Sequence, residues 1–346
     1  MPGKTIERWT SWERWPFGVL YFPISFVWLW YILKSRAIWF FTSSNPTIAF
    51  GGFEGEGKKE IYDQLPQELI PQTIYIDHKA DFSDVRNIIR DAGFQFPFVV
   101  KPDVGMKGIL FRKIENEEQL QRYHEKMPAL YIVQELVDWP VEVSVFYYRH
   151  PAQSKGTVSG FIHKELLQVK GDGYSSLHHL IQAHPRARLR MPEMMRKHGH
   201  RFDRILKKDE VFFLSYAGNH NRGAQFTNLA SEIDEQLKEV FDRITDHARF
   251  FYYGRYDIKA ASIQDLKAGR NFKILEYNGS GAEPNHIYDC GMGLLDAYRE
   301  ILRHWKVLYE ISAFNHRNGF PYWSFKKGYR FLKASNRHFK ELRVFE

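Results

Sequence analysis

The sequence holds a single cysteine, Cys290, among 346 residues, and this scarcity excludes several classes of protein. An internal disulfide framework and a cysteine-rich metal site both need more than one thiol. A lone thiol fits a reducing compartment. Internal repeats and low-complexity stretches are also absent from the sequence, which leaves an ordinary globular chain to explain.

The histidines lack the spacing of a zinc enzyme. Those between positions 178 and 200 lie in a basic stretch, without cysteine and without a His-Glu-x-x-His pattern, so solvated or phosphate-facing side chains are the simpler interpretation. The net charge of +8 favours anionic partners, namely a nucleotide, a nucleic acid or anionic lipid. No nucleic-acid-binding motif accompanies this charge, so we expect no nucleic acid partner.

Long apolar runs are equally scarce, and the one present lies near the N-terminus. Residues 16–33 carry no charge, and 16% of the whole chain is aromatic. This run is close to the roughly 20 residues that a membrane span needs, although Pro23 and Ser25 interrupt it. Trp28 and Trp30 are of the type that favours the headgroup boundary. A membrane-interface or re-entrant helix, a full span, and a buried helix or oligomer contact all stay open, and no cleavage site of a signal peptide follows.

The rest of the chain alternates between helix and strand patterns. With 44% hydrophobic and 26% charged residues, it can build two or three compact units. Periodicity predicts helices over 58–65, 82–92, 117–125, 234–250 and 294–308, and strands over 47–53, 73–76, 96–101, 109–112, 130–134, 141–148, 156–162, 255–260 and 272–279.

A lysine ends one of the predicted apolar strands. Lys101 closes the run 96–101, and Gly105 and Gly108 follow it in a flexible turn. A buried strand rarely ends in an unpaired lysine unless an anion meets it, and glycines let backbone amides approach phosphate oxygens. A solvated lysine in a plain strand–turn–strand is the alternative.

Three oxygen-bearing side chains follow far downstream on two neighbouring strands. Asp257 lies on one strand, and Glu276 and Asn278 are two residues apart on the next, so their side chains share a face. Carboxylates that face each other repel unless a cation lies between them, and Mg²⁺ prefers such oxygen ligands. Arg255 could balance the remaining charge. A polar sheet face at an edge is the alternative.

Two weaker patterns accompany these. An apolar linker around Gln134, Glu135 and Val137, with Glu142 beyond it, suits a nucleotide base and a ribose. The stretch 52–58 has the spacing of a phosphate loop, but Lys59 stands where that motif needs Ser or Thr, and its two glutamates would repel phosphate. We therefore do not expect a phosphate loop there.

In this order the motifs resemble the ATP-grasp family, and within it the D-alanine–D-alanine ligases and the ligase half of cyanophycin synthetases. The resemblance covers about residues 46–310. It implies an α+β fold in which two subdomains clasp ATP. This chain departs from the family before Lys101, where we expect only a short N-terminal α/β pre-domain and an aromatic N-terminal helix. The expected segments are 1–42, a membrane-associating segment; 43–95, the pre-domain; 96–312, the ATP-grasp domain; and 313–346, a basic aromatic tail.

The resemblance also implies a role for each matching residue. Lys58 (or Lys59) and Lys101 would contact phosphate, residues 135–137 would form the adenine hinge, and Glu142 would bind the ribose. Lys164, which precedes a Gly-Asp-Gly loop at 171–173, would lie near the transferred phosphate together with Asn219 and Arg222. The implied catalytic set is Arg255, Lys164 and Arg222; the nucleotide set is Lys58, Lys101, Gln134, Glu135, Val137, Glu142 and Asn219; and the metal ligands are Asp257, Glu276 and Asn278.

The implied reaction is an ATP-dependent, ADP-forming ligation of a carboxylate to an amine through an acyl phosphate, with Mg²⁺ or else Mn²⁺. The loop 279–286 departs from the dipeptide-ligase pattern, so D-alanine is not an expected substrate. Expected partners are a small carboxylate, a small amine and an anionic membrane surface at its cytoplasmic face; a homodimer is compatible with the sequence. Two alternatives are an ATP-grasp enzyme acting on a membrane-lipid or cell-envelope substrate, and an inactive nucleotide-binding protein tethered to a membrane.

Overall fold

The computed structural model describes residues 12–106, 108–215, 218 and 223–346. The chain divides into two compact units. The first runs to Ile162 and resumes at Asn228, and the second is His163–Thr227. The four-segment division expected from the sequence stays a prediction.

Helices lie at both ends of the chain and between the strands. They are α1 (Phe17–Tyr21), α2 (Ser25–Ser35), α3 (Lys58–Tyr62), α4 (Phe82–Asp91), α5 (Glu117–Lys126), α6 (Leu177–Ala183), α7 (Met191–His198), α8 (Glu235–Ala248), α9 (Ile263–Lys267), α10 (Leu294–Arg317) and α11 (Phe325–Val344). Short 3₁₀ helices include Phe22–Ile24, which joins α1 to α2, and Asn285–Ile287, which precedes α10.

Among the described residues, the strands form two main sheets and a separate two-stranded sheet. They are β1 (Thr73–Ile76), β2 (Phe98–Pro102), β3 (Arg112–Ile114), β4 (Tyr131–Glu135), β5 (Val141–Tyr148), β6 (Thr157–Glu165), β7 (Gln168–Lys170), β8 (Val211–Phe213), β9 (Gln225–Asn228), β10 (Tyr253–Ala260) and β11 (Phe272–Asn278). The sheet orders are β1-β4-β2-β3, β11-β10-β5-β6-β9 and β7-β8. The mixture of helices and largely antiparallel sheets confirms the predicted α+β class.

Alternation along β5 and β10 separates an apolar face from a polar one. Every second residue of β5, such as Val143, and of β10, such as Tyr256, enters one hydrophobic core against α8. The residues between them point to the opposite face of the sheet, because side chains alternate along a strand. That second face carries the polar residues of the candidate site.

Two local predictions were wrong. The stretch 47–53, predicted as a strand, contains a 3₁₀ helix at Ala49–Gly52. Phe50, Gly51 and Gly52 all have positive φ, which no strand accepts, and the glycines let this turn press against the backbone of Gly279. The strand predicted at 109–112 begins only at Arg112, because Leu110 also takes a positive φ in the preceding turn.

Helices α1 and α2, with their 3₁₀ linker, provide the aromatic N-terminal helix. The stretch Phe17–Ser35 is long and apolar enough to cross a membrane by length and composition. One side of it packs on the folded unit: Trp28 contacts the rings of Phe40 and Trp305, and Tyr31 stacks on Tyr309 with ring centroids 4.6 Å apart.

Candidate functional site

Strand register brings the predicted metal ligands together. Asp257 lies opposite Glu276 in the β10–β11 pair, and Arg255 lies opposite Asn278. On the other side of β10, Asp257 lies opposite Ser144 of β5. The polar face of the sheet therefore carries a contiguous set of oxygen and guanidinium groups, as the sequence predicted.

A bulge in β11 explains why Glu276 faces this side. The register shifts after Asp257, which pairs with Glu276, because Ile258 pairs with Ile274 and leaves Leu275 as the extra residue. An extra residue reverses the alternation, so Ile274 can enter the core while Glu276 points away from it. The carbonyl of Leu275 instead accepts a bond from Lys101 Nζ at 3.3 Å and from the Tyr62 hydroxyl at 2.5 Å.

This bond joins the two distant motifs of the sequence. Lys101 comes from the four-stranded sheet, and its ammonium meets the residue directly before Glu276. Burial lowers the pKa of Lys101, while the charges of Glu276 and Asp257 oppose that shift. The region around Lys101, Lys58, Glu56 and Glu276 is called the acidic cleft below.

Asp257 is held firmly within this face. Ser144 Oγ donates to its Oδ1, and Arg255 Nε donates to the same oxygen at 3.2 Å. Burial would lower the pKa of Arg255, but the neighbouring Asp257 raises it. Arg255 also donates through Nη1 to the carbonyl of Glu283 at 3.3 Å, so the guanidinium is fixed between the strand and the following loop.

The side chains of Glu276 and Asn278 have fewer hydrogen-bond partners than the side chain of Asp257. Within the part of the chain that the structure describes, the carboxylate of Glu276 makes no hydrogen bond or ion pair, and Asn278 Nδ2 is buried without a partner. Exchanging the amide nitrogen and oxygen of Asn278 leaves its shape unchanged and would present Oδ1 instead. Carboxylates and an amide oxygen are the donor set that Mg²⁺ takes, so these residues fit such an ion.

The two adjacent lysines at the start of α3 differ in environment. Lys58 is 9% exposed, lines a small cavity with Glu56 and Glu276, and donates from Nζ to the Asp103 carbonyl at 3.1 Å. Lys59 Nζ instead pairs with Asp63 at 2.7 Å on the surface. The geometry therefore selects Lys58 over Lys59 as the candidate for phosphate contact.

Glu56 is a member of the cleft that sequence reasoning missed. Its Oε2 is buried without a hydrogen-bond partner among the described residues. Burial raises the pKa of Glu56 to about 7, with a further contribution from Glu276 and opposition from Lys58. From the sequence, Glu56 counted only as a carboxylate that would repel phosphate; half-protonated at neutral pH, it repels less.

The predicted adenine hinge lies where β4 ends. Gln134 is buried and donates to Thr73 Oγ1 at 2.8 Å, so its side chain serves the interior. Glu135 is exposed and accepts from the backbone N–H of Gln72 at 3.2 Å. Val137 follows and is buried. Glu142 lies on β5 opposite Lys259, on the same face as Ser144 and Asp257. The hinge and ribose assignments stay predictions.

The remaining predicted site residues belong to the second unit or lie outside the described residues. Lys164 is a buried residue near the end of β6. Asn219 and Arg222 lie outside the described residues, so their roles stay predictions. In the predicted Gly-Asp-Gly loop, Asp172 accepts the backbone N–H groups of Tyr174 and Ser175 at 3.0 and 2.7 Å.

A second group of titratable side chains, called the histidine cluster below, was not found from the sequence. Glu300 and His304 are one turn apart on α10, and His286 arrives from the preceding loop; their nitrogens lie 3.1 and 2.8 Å from Glu300 Oε1. Arg303 also donates to Glu300, through Nε at 2.9 Å and through Nη2. The spacing of Glu300 and His304 along α10 could have indicated their contact, but no local pattern in the sequence predicts that His286 joins them.

The histidine cluster is an ion-pair network around Glu300, in which His286 Nδ1 is buried without a partner among the described residues. Burial opposes ionisation of Glu300, but the bonds from His286, His304 and Arg303 outweigh it and hold the pKa of that carboxyl well below its usual range. Burial lowers the pKa of His304 to about 4. The guanidinium already neutralises the carboxylate, so we assign the cluster a structural role rather than a metal.

No family profile matches the chain, and no curated protein is similar to it in sequence. Among solved structures, it is similar to a bifunctional glutathione synthetase from Pasteurella multocida (16% identity, TM-score 0.38), a D-Ala:D-Ser ligase from Enterococcus faecalis (12%, 0.43) and an ATP-grasp ligase complexed with a minimal precursor (15%, 0.39). The matches cover 72%, 75% and 72% of this chain. They span only 36%, 62% and 60% of those proteins.

Proposed function

We propose that the chain is an ATP-dependent, ADP-forming carboxylate–amine ligase of the ATP-grasp type. One observation supports this most: Lys101 donates to the carbonyl that precedes Glu276, in a cleft with Lys58. In that cleft the Glu276 carboxylate has no hydrogen bond from the described residues, and Glu56 Oε2 is buried without a partner. Cations beside unsatisfied acidic oxygens are what a magnesium nucleotide requires.

The proposed reaction has two bond exchanges. A substrate carboxylate oxygen attacks the γ-phosphorus of ATP, the bond to ADP breaks, and an acyl phosphate forms. An amine nitrogen then attacks the acyl carbon, the new C–N bond replaces the C–O bond to phosphate, and the nitrogen loses a proton to solvent. Positioning and charge compensation carry such transfers without a protein nucleophile.

The side chains of the cleft divide this work. Lys58 and Lys101 neutralise phosphate oxygens as negative charge moves toward ADP. Arg255, fixed by Asp257 and by the Glu283 carbonyl, is poised to hold the acyl phosphate. Asp257, Glu276 and Asn278 would hold Mg²⁺, or Mn²⁺ in its place, which supplies charge neutralisation and alignment of the phosphates when bound.

Release of ADP and phosphate, measured with panels of carboxylates and amines, tests the proposal. The neighbouring lysines offer a matched pair: Lys58→Gln should raise the KM for Mg-ATP by about tenfold or more, since it removes a buried charge-assisted contact, whereas Lys59→Gln should leave it unchanged. Failure of the purified chain to bind Mg-ATP by calorimetry would overturn the proposal, and equal effects of the two lysine changes would overturn the assignment of Lys58.

A membrane-held acceptor or donor is a second candidate for the same chemistry. The Tyr21 hydroxyl, from the N-terminal helix, donates to Glu283 at 2.5 Å, and the carbonyl of Glu283 accepts from Arg255. The apolar segment thus contacts the loop that follows the metal motif. Turnover with lipid-linked but not with soluble carboxylates or amines would favour this candidate over the first.

A further inference from the structure

Burial along the N-terminal helix alternates with helical period. The inner face, which includes Leu20, Ile24, Trp28 and Tyr31, is buried or half-buried against the folded unit. The rings of Phe40, Trp305 and Tyr309 meet it. Packing within the protein therefore explains why this inner face is apolar.

The outer face is apolar too, and the described chain does not cover it. Phe22 is 69% exposed, Phe26 66%, Trp30 59% and Leu33 63%. A helix on the surface of a globular protein normally turns charged or polar residues to solvent. A contiguous apolar face of this kind marks an interaction surface.

Charge identifies the kind of partner. No aspartate or glutamate occurs between Glu13 and Glu54, or between Glu310 and Glu341. The first stretch contains the helix with Lys34 and Arg36, and the second contains most of α11. The Trp39 indole joins the two, because it donates to the Phe325 carbonyl at 3.2 Å and stacks on the Phe325 ring. Exposed cations on the first half of α11 are Lys326, Lys327, Arg330 and Lys333.

We propose that this surface, formed by the outer face of 17–35 and the basic start of α11, docks the protein on an anionic phospholipid bilayer without spanning it. Aromatic and aliphatic side chains enter the headgroup region while the cations meet anionic lipid. A span would have to break the packing of Trp28 and Tyr31 on the folded unit. A second copy with twofold symmetry would bring the same acid-free surface against itself and set like charges together.

Sedimentation with lipid vesicles tests the proposal, using the full chain. Vesicles of phosphatidylcholine with phosphatidylglycerol should bind it, and pure phosphatidylcholine vesicles should bind it much less. Phe26→Ser with Leu33→Ser should weaken binding by about tenfold for each side chain, since each removes apolar burial. Lys326→Gln with Arg330→Gln should weaken binding to the anionic vesicles by roughly fivefold for each charge, an effect that added salt should abolish.

Matched controls come from exposed residues elsewhere. Ile88→Ser with Leu130→Ser, and Lys79→Gln with Lys126→Gln, should leave vesicle binding unchanged, with circular dichroism confirming the fold of every variant. Equal loss in the controls, no preference for anionic lipid, or a dimer in sedimentation velocity that Phe26→Ser dissociates would overturn the proposal. Extraction of the chain from its native membrane by high salt or alkaline carbonate is expected; resistance to both would indicate a span and overturn it. Vesicle binding needs no turnover, so its outcome is independent of the proposed ligase activity.

Discussion

The acidic cleft and the histidine cluster both hold a carboxylate beside positively charged or imidazole nitrogens, yet they differ in how far the protein satisfies them. Glu300 accepts from His286, His304 and Arg303. The Glu276 carboxylate makes no hydrogen bond or ion pair to any described residue, and Asn278 Nδ2 is buried without a partner. His286 Nδ1 in the histidine cluster is also buried without a partner among the described residues, so the comparison concerns the two carboxylates. A buried carboxylate that protein donors satisfy stabilises a fold, whereas one left without donors is available to a ligand.

The substitution Glu276→Gln should have the largest effect and tests whether this carboxylate serves a ligand rather than the fold. If Glu276 serves a ligand, the change should lower the rate of ADP release by about 100-fold or more, because a charge that helps to hold the metal is lost. The melting temperature should stay the same or rise, since a carboxylate that repels Glu56 is removed. Calorimetric titration with Mg-ATP and a thermal melt measure both. A fall in melting temperature larger than the one caused by changing Glu300 would contradict the distinction.

Glu300→Gln should do the opposite. Glutamine keeps one acceptor oxygen but loses the negative charge shared by His286, His304 and the Arg303 guanidinium, so we expect the free energy of unfolding to fall by about 3 kcal/mol. Urea denaturation measures this loss. Turnover per folded molecule should be retained; its disappearance in a protein that is still folded would assign the cluster to catalysis.

The histidine cluster also predicts an acid-sensitive fold. The pKa of His304 falls from 6.5 to about 4 on folding, so the unfolded chain binds its proton first as the pH drops below 6.5. Stability should therefore decrease by about 2 kcal/mol between pH 6.5 and about pH 5. The change His304→Gln, which keeps a donor for Glu300, should flatten that decrease. Urea denaturation at the two pH values checks it, and an unaltered slope in the variant would place the acid sensitivity elsewhere.

The sequence predicted what depends on local pattern. The β5 strand was placed at its observed bounds, and the sharing of one face by Glu276 and Asn278 followed from the period of a strand. The bulge at Leu275 could not be predicted, because it exists only relative to the register of β10. The carbonyl of this bulged residue accepts from both Lys101 and Tyr62.

Features that depend on tertiary packing could not be predicted from the sequence either, because they too arise from contacts between distant segments. Lys58 and Lys59 are both lysines, so the sequence could not choose between them. Their surroundings differ in the structure: Lys58 bonds the Asp103 carbonyl and lines the cavity beside Glu276. His286, in a loop, lies within hydrogen-bond distance of Glu300 on α10, and no spacing in the sequence predicts this contact. The predicted strand at 47–53 failed because residues 50–52 have positive φ, and Gly52 also lies too close to Gly279 for a Cβ to fit.

The smallest expected effect concerns Glu56, a carboxylate of the acidic cleft that is partly protonated at neutral pH. Changing it tests whether the nucleotide occupies the cleft next to this one titrating group. Its pKa is raised to about 7, first by burial, so it gains negative charge as the pH rises through neutrality. Nucleotide phosphate in the same cleft should favour the protonated form, and the affinity for Mg-ATP should fall by up to about tenfold per pH unit above 7. Glu56→Gln keeps the shape and removes this titration, so its affinity should change with pH only as ATP itself titrates. Calorimetric titrations of both proteins at matched pH values isolate the difference. Parallel pH profiles would mean that residue 56 does not face the nucleotide, and that the cavity beside Lys58 is filled by something other than phosphate.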